Sequence, residues 1–296
     1  YGGDASKAWR TVCIVPAVVA FATGIIVIRT SDDSPKGNYS KLKKTGQMAQ
    51  VSASASFRTG AVDLNTWILF IQYACCFGVE LTMNNTAVTY FVTKFDLTIE
   101  SASAIASIFG FMNLFARGLG GFISDKAMAR TGMRGRILVQ TVILIAEGVL
   151  IFVFAEMTKL WASILVLTSF SIMVQAAEGS TYGIVPYVNP RAAGAVSGIV
   201  GAGGPTGAVC FGLGFRQLEQ VSHAYYLMAG TVLASGFLSI FINVKIYGGM
   251  CSGKREDIIE NTITVPVARG EEDEDKNENV VSIPLPDNGV VEMTKK

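Results

Sequence analysis

Seven long apolar windows recur along this chain and restrict it to folds that a lipid bilayer can hold. Each window is roughly 20 residues long or longer, the length that an α-helix needs to cross the hydrocarbon core. Inside hydrocarbon the backbone must satisfy its own hydrogen bonds, so the windows predict membrane-spanning helices and an all-α membrane protein. Only 16% of the residues are charged, which excludes an ordinary soluble domain. The windows cover residues 8–28, 67–91, 101–124, 137–155, 160–185, 192–215 and 224–247.

Lysine and arginine are concentrated in alternate connections between these windows. Fourteen of them lie in one set of connections and five in the other, and such residues accumulate on the cytoplasmic side of a membrane. The amino end is therefore predicted outside, with the connection 30–65 and the C-terminus in the cytosol. The net charge of +1 gives no reason to expect a nucleic-acid partner.

Arg117 lies in the middle of the third window, where a guanidinium group is costly. An arginine at the centre of a membrane helix costs about 2.5–3.5 kcal/mol by insertion scales, so it indicates a bound anion or a transport pathway. Small residues at spacings of seven share the helix face of Arg117, and Asn113 lies within one helical turn of this face. Glycines at Gly118, Gly120 and Gly121 predict the close approach of another helix and room for a small ligand. The alternative is a structural ion pair between Arg117 and a carboxylate on a neighbouring span.

The second window carries a polar and aromatic face. Tyr73, Glu80 and Asn84 share this face at spacings of seven and eleven residues, and Phe77 lies between them. A helix facing lipid would not carry Glu80, so the face is predicted to line the protein interior or an aqueous cavity. The alternative is a helix–helix hydrogen bond made by Asn84 and a protonated Glu80.

The fifth and sixth windows are also unusual. Gln175, Glu178 and Tyr182 give the fifth window a polar face, which either hydrogen-bonds within the protein or carries protons. The sixth window is very rich in glycine between residues 194 and 214. Such a segment is typical of transporter helices that flex around a site, and the alternative is a tight packing seam without a ligand.

Several motifs resemble a known family. The run Gly-Phe-Ile-Ser-Asp-Lys at 121–126, followed by Arg130, Arg134 and Arg136, is similar to the loop motif of the major facilitator superfamily. Other stretches resemble the nitrate/nitrite porter family of that superfamily, specifically the eukaryotic high-affinity nitrate transporters of algae and plants. These stretches are residues 72–81, 109–121, 177–186 and 198–204.

The resemblance implies a major facilitator fold, with seven of its twelve transmembrane helices present. The chain begins at Tyr1 rather than Met and is expected to be a fragment. Residues 1–29 would then be the last helix of the N-terminal half, 30–65 the cytoplasmic central loop, and 66–248 the C-terminal six-helix half. Residues 249–296 would form a disordered cytoplasmic tail, since they contain an acidic run and no apolar periodicity.

The resemblance also implies a substrate site, in which Arg117 matches the arginine that the second half contributes to nitrate binding. A planar, permanently charged guanidinium suits a planar monoanion. The predicted substrate-binding residues are Arg117, Tyr73, Phe77, Asn113, Gly201 and Gly204. In the loop motif, Asp125 would pair with the cationic residues Arg130 and Arg134 as a conformational latch.

The predicted function is transport of nitrate, with nitrite left open, across the plasma membrane by alternating access. Nitrate uptake opposes the membrane potential, so it requires a co-transported cation, and the resemblance suggests a proton. Glu80 is the candidate coupling group because it shares a face with Tyr73. An accessory membrane subunit is left open as a further partner.

Two alternatives remain at this point. One is another small-anion facilitator or a nitrate/nitrite exchanger, and the other, from a different class, is a seven-helix membrane receptor. An enzyme is not expected, because His223 is the only histidine and no metal-ligand or nucleophile–base cluster can be assembled. For the same reason no metal or cofactor is expected.

Overall fold

The computed structural model describes residues 5–32, 37–45, 52–244 and 247–251, and nearly all of them are helical. The chain divides into two compact units, Tyr1–Ser52 and Ala53–Lys296. The first unit contains α1 (Ala5–Val12), α2 (Ile14–Thr30) and α3 (Tyr39–Lys44). Among the described residues of α2, none is buried. Of the disordered tail predicted at 249–296, Gly249 instead lies in a short strand, Gly248–Gly249, and the residues from 252 onward lie outside the described residues.

The second unit is built from eight α-helices among its described residues. They are α4 (Ala53–Val62), α5 (Leu64–Phe95), α6 (Ile99–Phe111), α7 (Asn113–Thr131), α8 (Met133–Glu156), α9 (Leu160–Val188), α10 (Ala193–Gln217) and α11 (Val221–Phe237). Short 3-10 helices precede α10 at Pro190–Ala192 and follow α11 at Leu238–Phe241. Two short antiparallel strands, β1 (Asn243–Val244) and β2 (Gly248–Gly249), complete the unit. Within the predicted connection 30–65, residues Ala53–Val62 thus form a helix of this unit.

Seven helical segments of the described chain are long and apolar enough to cross a membrane, which confirms the predicted number. They are Arg10–Thr30, Leu64–Phe95, Ile99–Thr131, Met133–Glu156, Leu160–Val188, Pro190–Gln217 and Val221–Phe241. Side-chain caps begin two of the helices: Asp63 accepts a hydrogen bond from the backbone N–H of Asn65, and Thr98 accepts one from that of Ser101.

The predicted end of the seventh span, at residue 247, is wrong. The helical segment ends at Phe241, and the chain then enters β1. The backbone N–H of Asn243 donates to the side-chain oxygen of Asn65 at 2.9 Å, and the Asn65 amide donates back to the Asn243 carbonyl at 3.0 Å. These bonds to α5 satisfy the backbone of Asn243 outside a helix, a partner that hydropathy along the chain does not reveal.

Glycines hold α5 and α10 in contact along the centre of the second unit. A Cβ atom at Gly207 of α10 would overlap the carbonyl oxygen of Ala74, and one at Gly78 of α5 would lie 2.8 Å from the Gly207 Cα. Gly203 makes a similar approach to the carbonyl of Phe70. The two backbones therefore touch directly, as small residues permit in membranes. At Gly203 and Gly207 the sixth window therefore packs closely against α5, while the question of a ligand beside these glycines stays open to test.

Candidate functional site

A second close contact, between α7 and α9, determines where Arg117 lies. A Cβ atom at Gly179 would overlap the Arg117 carbonyl oxygen, and one at Gly120 would overlap the carbonyl of Ala176. Gly120 thus allows the predicted close approach of another helix, whereas a Cβ at Gly118 would meet no atom within 4 Å. Because Glu178 directly precedes Gly179, this backbone contact brings Glu178 beside Arg117.

Arg117 makes ion pairs with carboxylates on two neighbouring helices. Its Nη2 donates to Oε2 of Glu80 at 3.1 Å and also to Oε2 of Glu178. The Asn113 amide donates to the other Glu80 oxygen at 2.9 Å, so both oxygens of Glu80 are hydrogen-bonded. The side chain of Arg117 is 40% exposed, whereas those of Glu80 and Glu178 are 7% and 1% exposed. The alternative considered for Arg117, an ion pair across spans, is what the structure shows.

Aromatic rings form one wall of this cluster. The Phe77 ring lies 5.8 Å from Cζ of Arg117 and 5.3 Å from the ring of Tyr73, centroid to centroid. Tyr73 in turn packs edge-on against Tyr182 at 5.1 Å. A cation close to a ring face is attracted by the ring quadrupole, so Phe77 helps to hold the guanidinium in position.

The two glycines selected in the sixth window border the same wall. A Cβ atom at Gly204 would overlap the Phe77 ring, and one at Gly201 would lie 3.0 Å from the hydroxyl oxygen of Tyr182. Both positions therefore leave room for aromatic side chains. The six predicted substrate-binding residues and Glu80 come together in one cluster, whereas Asn84 is exposed and takes no part.

Sequence reasoning missed the contact between Glu178 and Arg117. Glu178 was recognised only as part of a polar face, and its partner lies 61 residues earlier in the chain. Gly179, next to it, is the local signal that could have indicated a close helix contact at this level. The contact of Tyr182, one turn further on, with Tyr73 does not follow from the sequence either.

The cluster combines one permanent cation with two carboxyl groups. Arg117 uses Nη2 for both ion pairs, and its Nε is buried without a hydrogen-bond partner in the described part of the chain. A guanidinium presents a planar fork of N–H donors, so the partly exposed group can bind a small planar oxyanion if the carboxylates release it. Among the described residues, no three His, Cys, Asp or Glu side chains are grouped as a metal site requires.

In the loop motif, the ion pair of Asp125 differs from the predicted one. Asp125 forms its ion pair with Arg136 at 2.5 Å, while Arg130 and Arg134 are exposed and make no ion pair with a described residue. Arg136 also donates to the Gly183 carbonyl, and its Cζ lies 5.2 Å from the Tyr187 ring. The prediction that Asp125 pairs with Arg130 and Arg134 is therefore wrong. Arg136, which is buried near the start of α8, is the partner instead. A latch function for Asp125 stays a prediction.

Replacing Arg136 with glutamine is expected to cost about 1.5–3 kcal/mol of stability, because a buried charged donor to the Gly183 carbonyl is lost. Asp125→Asn is expected to cost less than about 1 kcal/mol, since Asp125 is 69% exposed and solvent screens its ion pair. Thermal unfolding of the purified full-length protein measures both. Arg134→Gln is the matched control, and equal losses for Arg134→Gln and Arg136→Gln would contradict the assignment.

Comparison with known proteins gives one family and several relatives. The family model described as Major Facilitator Superfamily matches residues 1–212. The chain is 32% identical over 288 residues to High affinity nitrate transporter 2.5 of Arabidopsis thaliana, covering 95% of this chain and 56% of that protein. It is 36% identical over 266 residues to High-affinity nitrate transporter 2.3 of Oryza sativa subsp. japonica, covering 86% of this chain and 50% of that protein.

A bacterial relative is similar over a shorter stretch. The chain is 37% identical over 147 residues to Nitrate/nitrite transporter NrtP of Picosynechococcus sp., covering 49% of this chain and 26% of that protein. The chain spans about half the length of the plant relatives it matches. The match to a transporter superfamily does not favour the alternative of a seven-helix receptor, and it agrees with a protein that is not an enzyme.

Proposed function

This chain belongs to the major facilitator superfamily, and we propose that it forms part of a transporter that carries nitrate across the plasma membrane, with nitrite as a second substrate. The relatives named as nitrate transporters support the substrate, and the relative named as a nitrate/nitrite transporter supports the addition of nitrite. The observation that carries the proposal is Arg117, a partly exposed guanidinium at membrane depth among aromatic rings and glycines.

In this proposal, nitrate binds Arg117 in place of a carboxylate. Nitrate is a planar monoanion with three oxygen acceptors, and the guanidinium offers coplanar N–H donors. Phe77 and Tyr73 supply flat apolar surface beside it, and Asn113 supplies an amide donor. Gly201 and Gly204 keep the space next to the rings free of side chains. A spherical or strongly hydrated anion would gain less from these planar groups.

The relatives' length supports an arrangement in two halves. Residues 66–248 would form one six-helix half, residues 1–29 would be the last helix of the other, and residues 30–65 would connect them in the cytosol. Rocking of the halves would expose the site alternately to the two sides, as in other secondary transporters. The C-terminus would lie in the cytosol, and an accessory membrane subunit is left open as a partner.

Accumulation of nitrate requires an energy source. Moving one negative charge inward against a membrane potential costs about 2.3 kcal/mol per 100 mV, and symport of protons supplies this energy. The coupling group would be a carboxyl group that holds Arg117 when no anion is bound. Glu80, the candidate from the sequence, lies 3.1 Å from the guanidinium, and Glu178 contacts the same nitrogen. A proton on one of these two carboxyl groups would weaken their hold on Arg117 and favour the anion.

Uptake of labelled nitrate into proteoliposomes containing the full-length protein tests this function. An inward proton gradient is expected to accelerate uptake several-fold and to drive accumulation above the outside concentration. Vesicles without protein are the control. Absence of nitrate uptake under any gradient would contradict the proposal, and uptake only against internal nitrite, without effect of the gradient, would favour the exchanger.

A further inference from the structure

Two carboxyl groups meet at one nitrogen atom of Arg117, and the coupling role considered so far leaves Glu178 without a function. Both Glu80 and Glu178 direct Oε2 to the same Nη2. Two ionised carboxylates at one nitrogen would place like charges side by side, and this repulsion favours a proton on one of the two groups.

The hydrogen-bond partners distinguish the two groups. Glu80 accepts from the Asn113 amide at one oxygen and from Arg117 at the other, which satisfies an ionised carboxylate. Glu178 accepts from Arg117 at Oε2, whereas its Oε1 is buried and has no donor among the described residues. A buried ionised carboxylate with an unsatisfied oxygen is costly. Glu80 is therefore the group suited to remain ionised, and Glu178 is the group suited to hold the proton.

We infer that Glu178 binds the co-transported proton, and that its protonation releases Arg117 for the anion. This inference rests on the proposed function and identifies which carboxyl group couples the proton to the anion. With both carboxyl groups ionised, the three side chains carry a net charge of −1 and repel an anion. One proton on Glu178 brings their sum to zero and removes one of the two competitors for the guanidinium.

Other ionisable groups also face Glu178 from the helices around it. They are Glu80, Tyr73 and Cys76 on α5, Arg117 on α7, Glu147 on α8, and Tyr182 one turn along α9 itself. The charged side chains of α6 and α10 are Glu100 and Arg216, which are exposed at the start of α6 and at the end of α10. Glu147 is completely buried and neither of its oxygens has a described partner, so it provides a second buried carboxyl group with which Glu178 can be compared.

Nitrate binding to the purified full-length protein, measured over a series of pH values, tests the inference. Wild-type affinity is expected to fall by about tenfold for each pH unit as the pH rises through the range in which this proton is lost, because proton and anion bind together. Glu178→Gln imitates the protonated group. Its affinity is expected to stay within about twofold of the wild-type low-pH value at every pH, and its nitrate uptake should no longer carry protons.

Two matched variants separate Glu178 from the other carboxyl groups. Glu147→Gln removes an equally buried carboxyl outside the cluster, and Glu80→Gln removes the ionised member of the pair. Both are expected to keep a pH-dependent affinity. The inference is overturned if the nitrate affinity of Glu178→Gln depends on pH as steeply as that of the wild type. It is also overturned if Glu80→Gln is the only variant that loses this pH dependence.

If Glu178→Gln is not recovered as folded protein, Glu178→Asp serves instead. It keeps a carboxyl group but withdraws it from Arg117, so the midpoint of the pH dependence should shift, and an unchanged midpoint would overturn the inference. Failure of the wild-type protein to bind nitrate at any pH would instead refute the proposed function. If the wild-type protein transports nitrate and the nitrate affinity of Glu178→Gln still depends on pH as in the wild type, only the role of Glu178 is refuted.

Discussion

Replacing Arg117 with lysine is expected to lower the affinity for nitrate by roughly 10- to 150-fold, although the positive charge is kept. A hydrogen bond to a charged group contributes about 1.5–3 kcal/mol, and lysine cannot reproduce the planar pair of donors that a flat anion uses. Lysine also lacks the flat guanidinium group, whose Cζ atom lies 5.8 Å from the centroid of the Phe77 ring. Labelled nitrate binding and uptake by the full-length protein measure the loss.

Arg216→Lys is the matched control for this substitution. Arg216 is exposed at the end of α10 and makes no ion pair with a described residue, so the same chemical change there should leave nitrate affinity within about twofold of wild type, as for most surface substitutions. Equal affinities of the wild-type protein and Arg117→Lys would show that the guanidinium does not bind the anion.

Replacing Gly207 with leucine is expected to cost more than about 3 kcal/mol of stability, beyond the usual cost of overpacking. The first carbon of any side chain at this position would overlap the carbonyl oxygen of Ala74, and a backbone atom cannot rotate aside as a side chain can. The whole contact between α5 and α10 would have to open. Thermal unfolding in detergent and the yield of monodisperse protein measure the effect.

Gly212→Leu provides the control on the same helix. A Cβ atom at Gly212 would meet no atom within 4 Å, and the residue is exposed. Leucine is also a better helix former than glycine, by roughly 0.5–1 kcal/mol, so this variant should be as stable as the wild type or slightly more stable. Similar losses for both variants would show that glycine at 207 serves flexibility rather than close packing.

Much of the fold could be predicted from the sequence, because a bilayer imposes its requirement locally. A helix that crosses hydrocarbon must be apolar along its own length, so the number of spans and their approximate ends follow from hydropathy. The predicted end at residue 247 failed because the Asn65 side chain, distant in sequence, stabilises an extended backbone at Asn243. Hydropathy contains no information about such a partner.

Part of the candidate site could be predicted in the same way. An arginine at membrane depth and the face shared by Tyr73, Phe77 and Glu80 are visible as composition and helical periodicity. Those features select residues on each helix, but they do not fix how the helices are rotated against each other. Hence the sequence paired Asp125 with Arg130 and Arg134, whereas the folded chain pairs it with Arg136.

The sequence by itself determined an all-helical membrane protein with seven spans and with one arginine that needs a partner at membrane depth. Only the tertiary structure decided that this partner is a pair of carboxyl groups on α5 and α9. Periodicity along one helix is a local property, whereas the pairing depends on backbone contacts between helices. Those contacts occur where Gly120 and Gly179 remove the side chains that would otherwise hold α7 and α9 apart.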